Sequence, residues 1–214
     1  WSAGVISEVG RAEQEGRISL AAFRDGAVRE LVDGAALHEL ESGLLRAAAE
    51  RPTESVWIDM ASPSPAQVGR VAELLDLHPL IAEDMIEGNQ RSKIEATDGL
   101  VHIVLFSLEY GEEVQAHEVD LVLGYGFLLS SHPASWDPRS AGHFRAGLAP
   151  IMQSGADHVL WAIFDTIVDA YFPFADRVED AIDQLQDDVI ERTDRSTLSR
   201  VFALKRELIA VRRA

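Results

Sequence analysis

The sequence predicts an α/β sandwich, an α/β/α arrangement on a mixed sheet, followed by a long antiparallel helix pair. Three observations carry that prediction. Strand-like and helix-like segments alternate from Ile18 to His132, the order that layers helices against a sheet. Asp25-Gly26 sits between two apolar runs, the strongest short-range hairpin signal, and Asp98-Gly99 marks a second turn between strands. From Asp157 onward the pattern is helical only: Val178, Ile182, Leu185 and Val189 recur at steps of four, three and four, one apolar helix face. Residues 1–150 are therefore expected to form the sandwich domain and residues 151–214 the long helices.

Each element has its own warrant. Ile18–Arg24 and Ala27–Val32 form the hairpin around Asp25-Gly26, and Ala36–Glu50 reads as one helix with Leu37, Leu40, Leu44 and Leu45 inward. Ser55–Met60 is a short strand carrying Trp57. Ser62-Pro63-Ser64-Pro65 is turn chemistry leading into a helix with Val68, Val71, Ala72 and Leu75 inward. A further short helix opens at His78-Pro79-Leu80 and ends at Gly88-Asn89. Strands are expected over Lys93–Ala96, Leu100–Tyr110, Glu118–Leu123 and Phe127–His132, then a loop and a helix over Asp137–Ala149. Val178–Val189 and Val201–Val211 should pack across a turn at Arg192–Ser196, where Asp194 or Ser196 caps the second helix. Pro173 should kink the first by removing a backbone donor.

The 214 residues, 47% hydrophobic, suffice for a sizeable core. A net charge of −17 makes nucleic acid and anionic membrane surfaces poor partners, and metal ions or basic protein surfaces better ones. No cysteine is present, which excludes disulfides and thiolate metal sites. The start lacks the basic and apolar regions of a signal peptide. No apolar run reaches the roughly 18–20 residues that span a bilayer. The chain opens at Trp1 and stops at Ala214 with Val201, Leu204, Leu208 and Val211 still in helical phase, which reads as a cut.

Asp176, Asp180, Asp183, Asp187 and Glu191 form an acidic stripe on the first long helix. Like charges at this spacing cost about 0.2–0.5 kcal/mol per pair, so the stripe calls for open water or bound cations. Asp165 and Asp169 make a similar pair upstream. Gly124-Tyr125-Gly126 joins two strands and is a turn, while the P-loop, HExxH and GxSxG patterns are absent. Ser130-Ser131-His132 has no evident acid partner. The seven histidines offer no pair at helical ligand spacing, and His102, inside an apolar strand, reads as a satisfied core histidine. Glu83 and Asp84 stand adjacent on a short helix, the kind of carboxylates that hard cations such as Mg2+ prefer; taken alone they read as exposed polar residues.

Trp57-Ile58-Asp59-Met60, His78-Pro79-Leu80-Ile81-Ala82-Glu83-Asp84, Gln90-Arg91-Ser92-Lys93-Ile94-Glu95 and Leu100–Phe106 follow one another in order. Further on come Ala162–Pro173, the acidic helix, and Leu204-Lys205-Arg206-Glu207-Leu208. Together they resemble the cytoplasmic domain of CorA-type divalent-cation transporters; Ser92 stands where that family usually has proline. The resemblance implies a homopentamer in the inner or plasma membrane with this domain facing the cytoplasm, its last helix starting a stalk. Membrane contact would come only through a C-terminal region beyond Ala214. It implies no enzyme activity, and a regulatory Mg2+, with Co2+ or Zn2+ as alternatives, bridging neighbouring subunits to favour the closed state. Carried over by position, Glu83 and Asp84 stand on one side of that bridge and Asp165 on the other. A ZntB-like zinc transporter domain, a soluble metal-dependent hydrolase and a scaffold with a solvated acidic face are the competing readings.

Overall fold

Asp25-Gly26 and Asp98-Gly99 each take positive φ at both residues, the geometry of a two-residue hairpin turn, and so fix the strand register on either side. The computed structural model describes residues 16–49, 54–110, 114–140, 142–191 and 195–213. Around the first turn lie β1 (Arg17–Arg24) and β2 (Ala27–Val32), and around the second β4 (Lys93–Thr97) and β5 (Leu100–Tyr110). With β3 (Ser55–Ala61), β6 (Val114–Gly124) and β7 (Phe127–His132) they form a seven-stranded sheet in the order β2-β1-β3-β7-β6-β5-β4. Only β3 and β7 run parallel; the other neighbours are antiparallel. The predicted mixed sheet is what forms.

Strand alternation feeds two cores. Val56, Ile58 and Met60 face helices α1 (Asp33–Glu41), α2 (Leu44–Ala49), α3 (Pro65–Leu75) and α4 (Pro79–Glu87), in a cluster with Ile18, Leu20 and Leu129. Trp57, Leu121 and Leu128 face the other way, against α5 (Ala149–Met152) and the first half of α6 (Ala156–Glu191), through Val159, Ala162, Ile163 and Ile167. Helix α3 is closed by a capping box between Ser64 and Gln67, and the four residues expected inward, Val68, Val71, Ala72 and Leu75, are buried.

Three local expectations are corrected. The helix expected over Ala36–Glu50 is two helices, because Gly43 takes φ +91°, a left-handed conformation that ends the first. The region from Asp137 to Ala149 holds two 3-10 turns, Pro138–Ser140 and Gly142–Ala146, before the single turn of α5. The seam between α6 and α7 (Arg195–Arg213) is best buried near the sheet, where Leu108, Val114 and Phe174 pack with Val178 and Val211. Beyond it Ile182, Val189, Val201 and Leu208 stay exposed, since no third element among the described residues covers them, and the helices are tied by Arg177–Glu207 at 2.6 Å and by Arg200–Asp188. Helix α6 runs through Pro173. Asp194 lies outside the described residues.

Candidate metal centres

Helix α4 carries the first predicted carboxylates. Pro79 occupies its first turn, His78 Nδ1 accepts from the Leu80 N–H at 3.2 Å, and Gly88 ends it in left-handed geometry. Ile81 and Met85 turn inward, which leaves Asp84 half-buried at the edge of the interface and Glu83 exposed. Asp84 Oδ2 lies 2.6 Å from Lys93 Nζ, and the same ammonium reaches Glu95 Oε2 at 2.9 Å. The hydrogen bond that Lys93 donates to Asp84 is the main cause holding its ammonium above its ordinary pKa.

Beneath α4 the sheet presents polar side chains. Glu95 pairs with His102 across β4 and β5, and Asp120 sits on β6 beside them. His102 and Asp120 are both buried, with His102 Nε2 3.0 Å from Asp120 Oδ1. The other ring nitrogen, Nδ1, has no hydrogen-bond partner among the described residues. Ligand atoms of Asp84, Glu95 and His102 lie within 4.8 Å of one another. Next to them Glu118 Oε2 accepts the Gln90 N–H at 2.9 Å while Oε1 has no partner among the described residues. Burial, then the charge of Asp120, pushes the Glu118 carboxyl up to about 7 from 4.5; the Gln90 N–H pulls the other way and Asp84 adds to the rise. The expectation of a satisfied core histidine at 102 thus holds for one nitrogen only.

Asp165, the third predicted residue, lies on α6, where it bonds His143, whose ring rests against Trp161 at 4.6 Å. The Asp165 side chain is 37% exposed. Because α6 and α4 cover opposite faces of the sheet, one chain does not bring Asp165 to Glu83 or Asp84. All three offer carboxylate oxygens at or near the surface, a donor set that suits Mg2+ with retained waters. Both Asp84 and Asp165 hold a protein cation or histidine in its place.

An acid partner for Ser130 and His132 does exist, contrary to the expectation from sequence. Parallel pairing sets Asp59 of β3 beside Ser130 of β7. Ser130 Oγ donates to Asp59 Oδ1 at 2.5 Å and accepts from Trp57 Nε1 at 2.9 Å. His132 Nε2 faces Asp59 at 3.1 Å and Nδ1 faces the Pro133 carbonyl at 2.9 Å. Two acceptors on one ring call for the doubly protonated imidazolium. Burial opposes that charge, but Asp59 and the Pro133 carbonyl outweigh it and hold the His132 pKa above its usual value. Ser130 gives its proton to the acid and not to the histidine, so no activated nucleophile results. The unit is structural.

A pH dependence follows. The stability contributed by charged His132 is complete below about pH 6.5, its unfolded value, and is lost as pH rises through the raised folded value. Urea midpoints should therefore fall from about pH 6 to pH 9 more steeply in the wild type than in His132→Gln. Parallel curves would assign the slope to other groups.

The profile of the family described as CorA-like Mg2+ transporter protein matches residues 53–214. The cobalt/magnesium transport protein CorA of Thermotoga maritima is 33% identical over 153 residues, covering 68% of this chain and 43% of that protein. The chain thus spans less than half the length of that relative. Among solved structures, the complete CorA magnesium transporter from Methanocaldococcus jannaschii superposes with a TM-score of 0.65 at 14% identity, over 91% of this chain and 57% of that one. The ZntB cytoplasmic domain from Vibrio parahaemolyticus does so with a TM-score of 0.64 at 12% identity, over 93% and 74%. At such identities the likeness is one of fold. Among the described residues no helix is long and apolar enough to cross a membrane.

Proposed function

The chain belongs to the CorA-like Mg2+ transporter protein family, and from that premise we propose that it is the cytoplasmic metal-sensing part of a channel-type transporter for Mg2+ or Co2+. A divalent ion bound between protomers of a homopentamer favours the closed state. Glu83 and Asp84 of one protomer face Asp165 of the next across that ion. The observation that supports this reading is the placement of these solvent-accessible acids on opposite faces of one sheet, where a shared ion needs two copies of the chain.

Physics supplies the switch. With the ion bound, carboxylates of adjacent protomers share a cation. Without it Asp84 falls back on Lys93 and Asp165 on His143, and a chain of charge −17 meets its own kind across the interface. The ion shifts the balance only by its differential affinity for the closed arrangement. The zinc reading shares this fold, and ion preference separates the two.

The test is the unfolding midpoint of the full-length protein against Mg2+, with Zn2+ and Ca2+ as comparisons. A saturable rise worth roughly 2.7 kcal/mol at about a hundred times the dissociation constant is expected. Asp165→Asn should abolish it. A wild-type response that is flat, or one that survives in Asp165→Asn, overturns the proposal.

A further inference from the structure

We infer that each protomer also carries a self-contained site for a divalent transition-metal ion of the zinc or cobalt class, formed by His102 Nδ1 with the carboxylates of Asp84 and Glu95. Acids alone would not mark a site; the histidine does. His102 is 2% exposed and its Nδ1 has no partner among the described residues, a penalty that a buried polar atom ordinarily avoids. Its orientation is fixed from behind, since Nε2 is held by buried Asp120 at 3.0 Å. With Nε2–H donating to the Asp120 carboxylate, the neutral ring carries its lone pair on Nδ1. This is the arrangement that positions metal-binding imidazoles.

Strand order directs that lone pair. The two nitrogens lie on opposite edges of the ring, Asp120 is on β6, and β4 lies on the other side of β5. The Nδ1 edge therefore turns toward β4, where Glu95 stands in register with His102. Asp84 closes the set from α4 above: one carboxylate oxygen of each acid and a ring nitrogen of His102 lie within 4.8 Å of one another. Bonds of about 2.0–2.2 Å to one ion need these atoms about 3–3.5 Å apart. Glu95, at 60% side-chain exposure, has the freedom to make that approach.

Donor chemistry selects the ion. Imidazole nitrogen suits zinc, cobalt and their neighbours, whereas Mg2+ takes oxygen ligands and keeps its waters. Lys93 is the competitor, because its ammonium bridges Asp84 and Glu95 at 2.6 and 2.9 Å, where a divalent ion would neutralise them. An entering ion displaces Lys93 toward solvent. Asp84 serves both this site and the one proposed between protomers, so it cannot tell them apart. Glu95 and His102 belong to this site alone, and Asp165 to the other.

The experiment is a Co2+ titration of the full-length protein in excess Mg2+, followed by the visible ligand-field absorption of the bound ion. A band is expected that weakens in affinity by about tenfold or more in Glu95→Gln and in His102→Gln, tightens in Lys93→Gln, and does not weaken in Asp165→Asn, where Asp84 is released from the competing Mg2+. Glu95→Gln changes an exposed side chain, so it reads the site even where His102→Gln fails to fold. A band indifferent to Glu95→Gln, or one lost only in Asp165→Asn, overturns the inference. A Mg2+ response that is flat in the wild type, or that survives in Asp165→Asn, overturns the reading of a site between protomers and leaves this inference standing.

Discussion

Asp59→Ala is expected to destabilise the protein by about 3–5 kcal/mol, the cost of breaking a buried charge pair by removing one member. The His132 side chain is 3% exposed and needs Asp59 to remain charged where it is. Removing the acid also deprives the Ser130 hydroxyl of its acceptor at 2.5 Å, and Ser130 in turn positions the Trp57 indole. Chemical denaturation at neutral pH checks this. Asp59→Ala combined with His132→Gln should recover part of the loss, because the stranded charge is gone. A loss under about 1 kcal/mol in the single variant would mean that the pair is replaced by water.

Trp57→Ala should cost a similar amount, about 3–5 kcal/mol, for a different reason. Trp57 is fully buried in the second core, stacked on Phe144 at 5.5 Å with the Arg139 guanidinium 4.7 Å from its ring centre. Truncation removes that contact area and leaves a cavity between the sheet and the chain that precedes α6. Trp161→Ala is the contrast: this residue is 53% exposed, and its loss should stay within about 0.5–1 kcal/mol. Paired urea melts decide the matter, and equal losses would contradict the assignment of Trp57 to the core.

Much of the fold was legible because local signals and burial agreed. The capped helix α3 buries the four residues its spacing nominated, and both Asp-Gly turns set their hairpins. The break at Gly43 was not legible, because Leu37, Leu40, Leu44 and Leu45 keep helical phase across it and a single glycine costs a helix only about 1 kcal/mol. Site residues divide the same way. A two-residue turn at Asp98-Gly99 places Thr97 opposite Leu100 and hence Glu95 opposite His102, so that pair was available from sequence. What sequence could not supply was Asp84 arriving from above the sheet, or Asp120 from the next strand. Asp59 and Ser130 meet only because β3 and β7 pair in parallel across a long crossover, a tertiary fact with no local signature.

The acids of the proposed bridge are the reverse case. Glu83, Asp84 and Asp165 were nominated by resemblance, and a single chain keeps them apart on two faces of its sheet. Their meeting is a statement about assembly, so the most direct measurement traps neighbours. These 214 residues contain no cysteine, which makes introduced thiols informative. Full-length Asp84→Cys and Asp165→Cys variants, differently tagged and coexpressed in membranes, are oxidised with and without EDTA pretreatment. A disulfide joining the two tags is expected, absent when either variant is expressed alone. Only monomers after oxidation, under conditions where the oligomer is intact, would contradict a site shared between protomers.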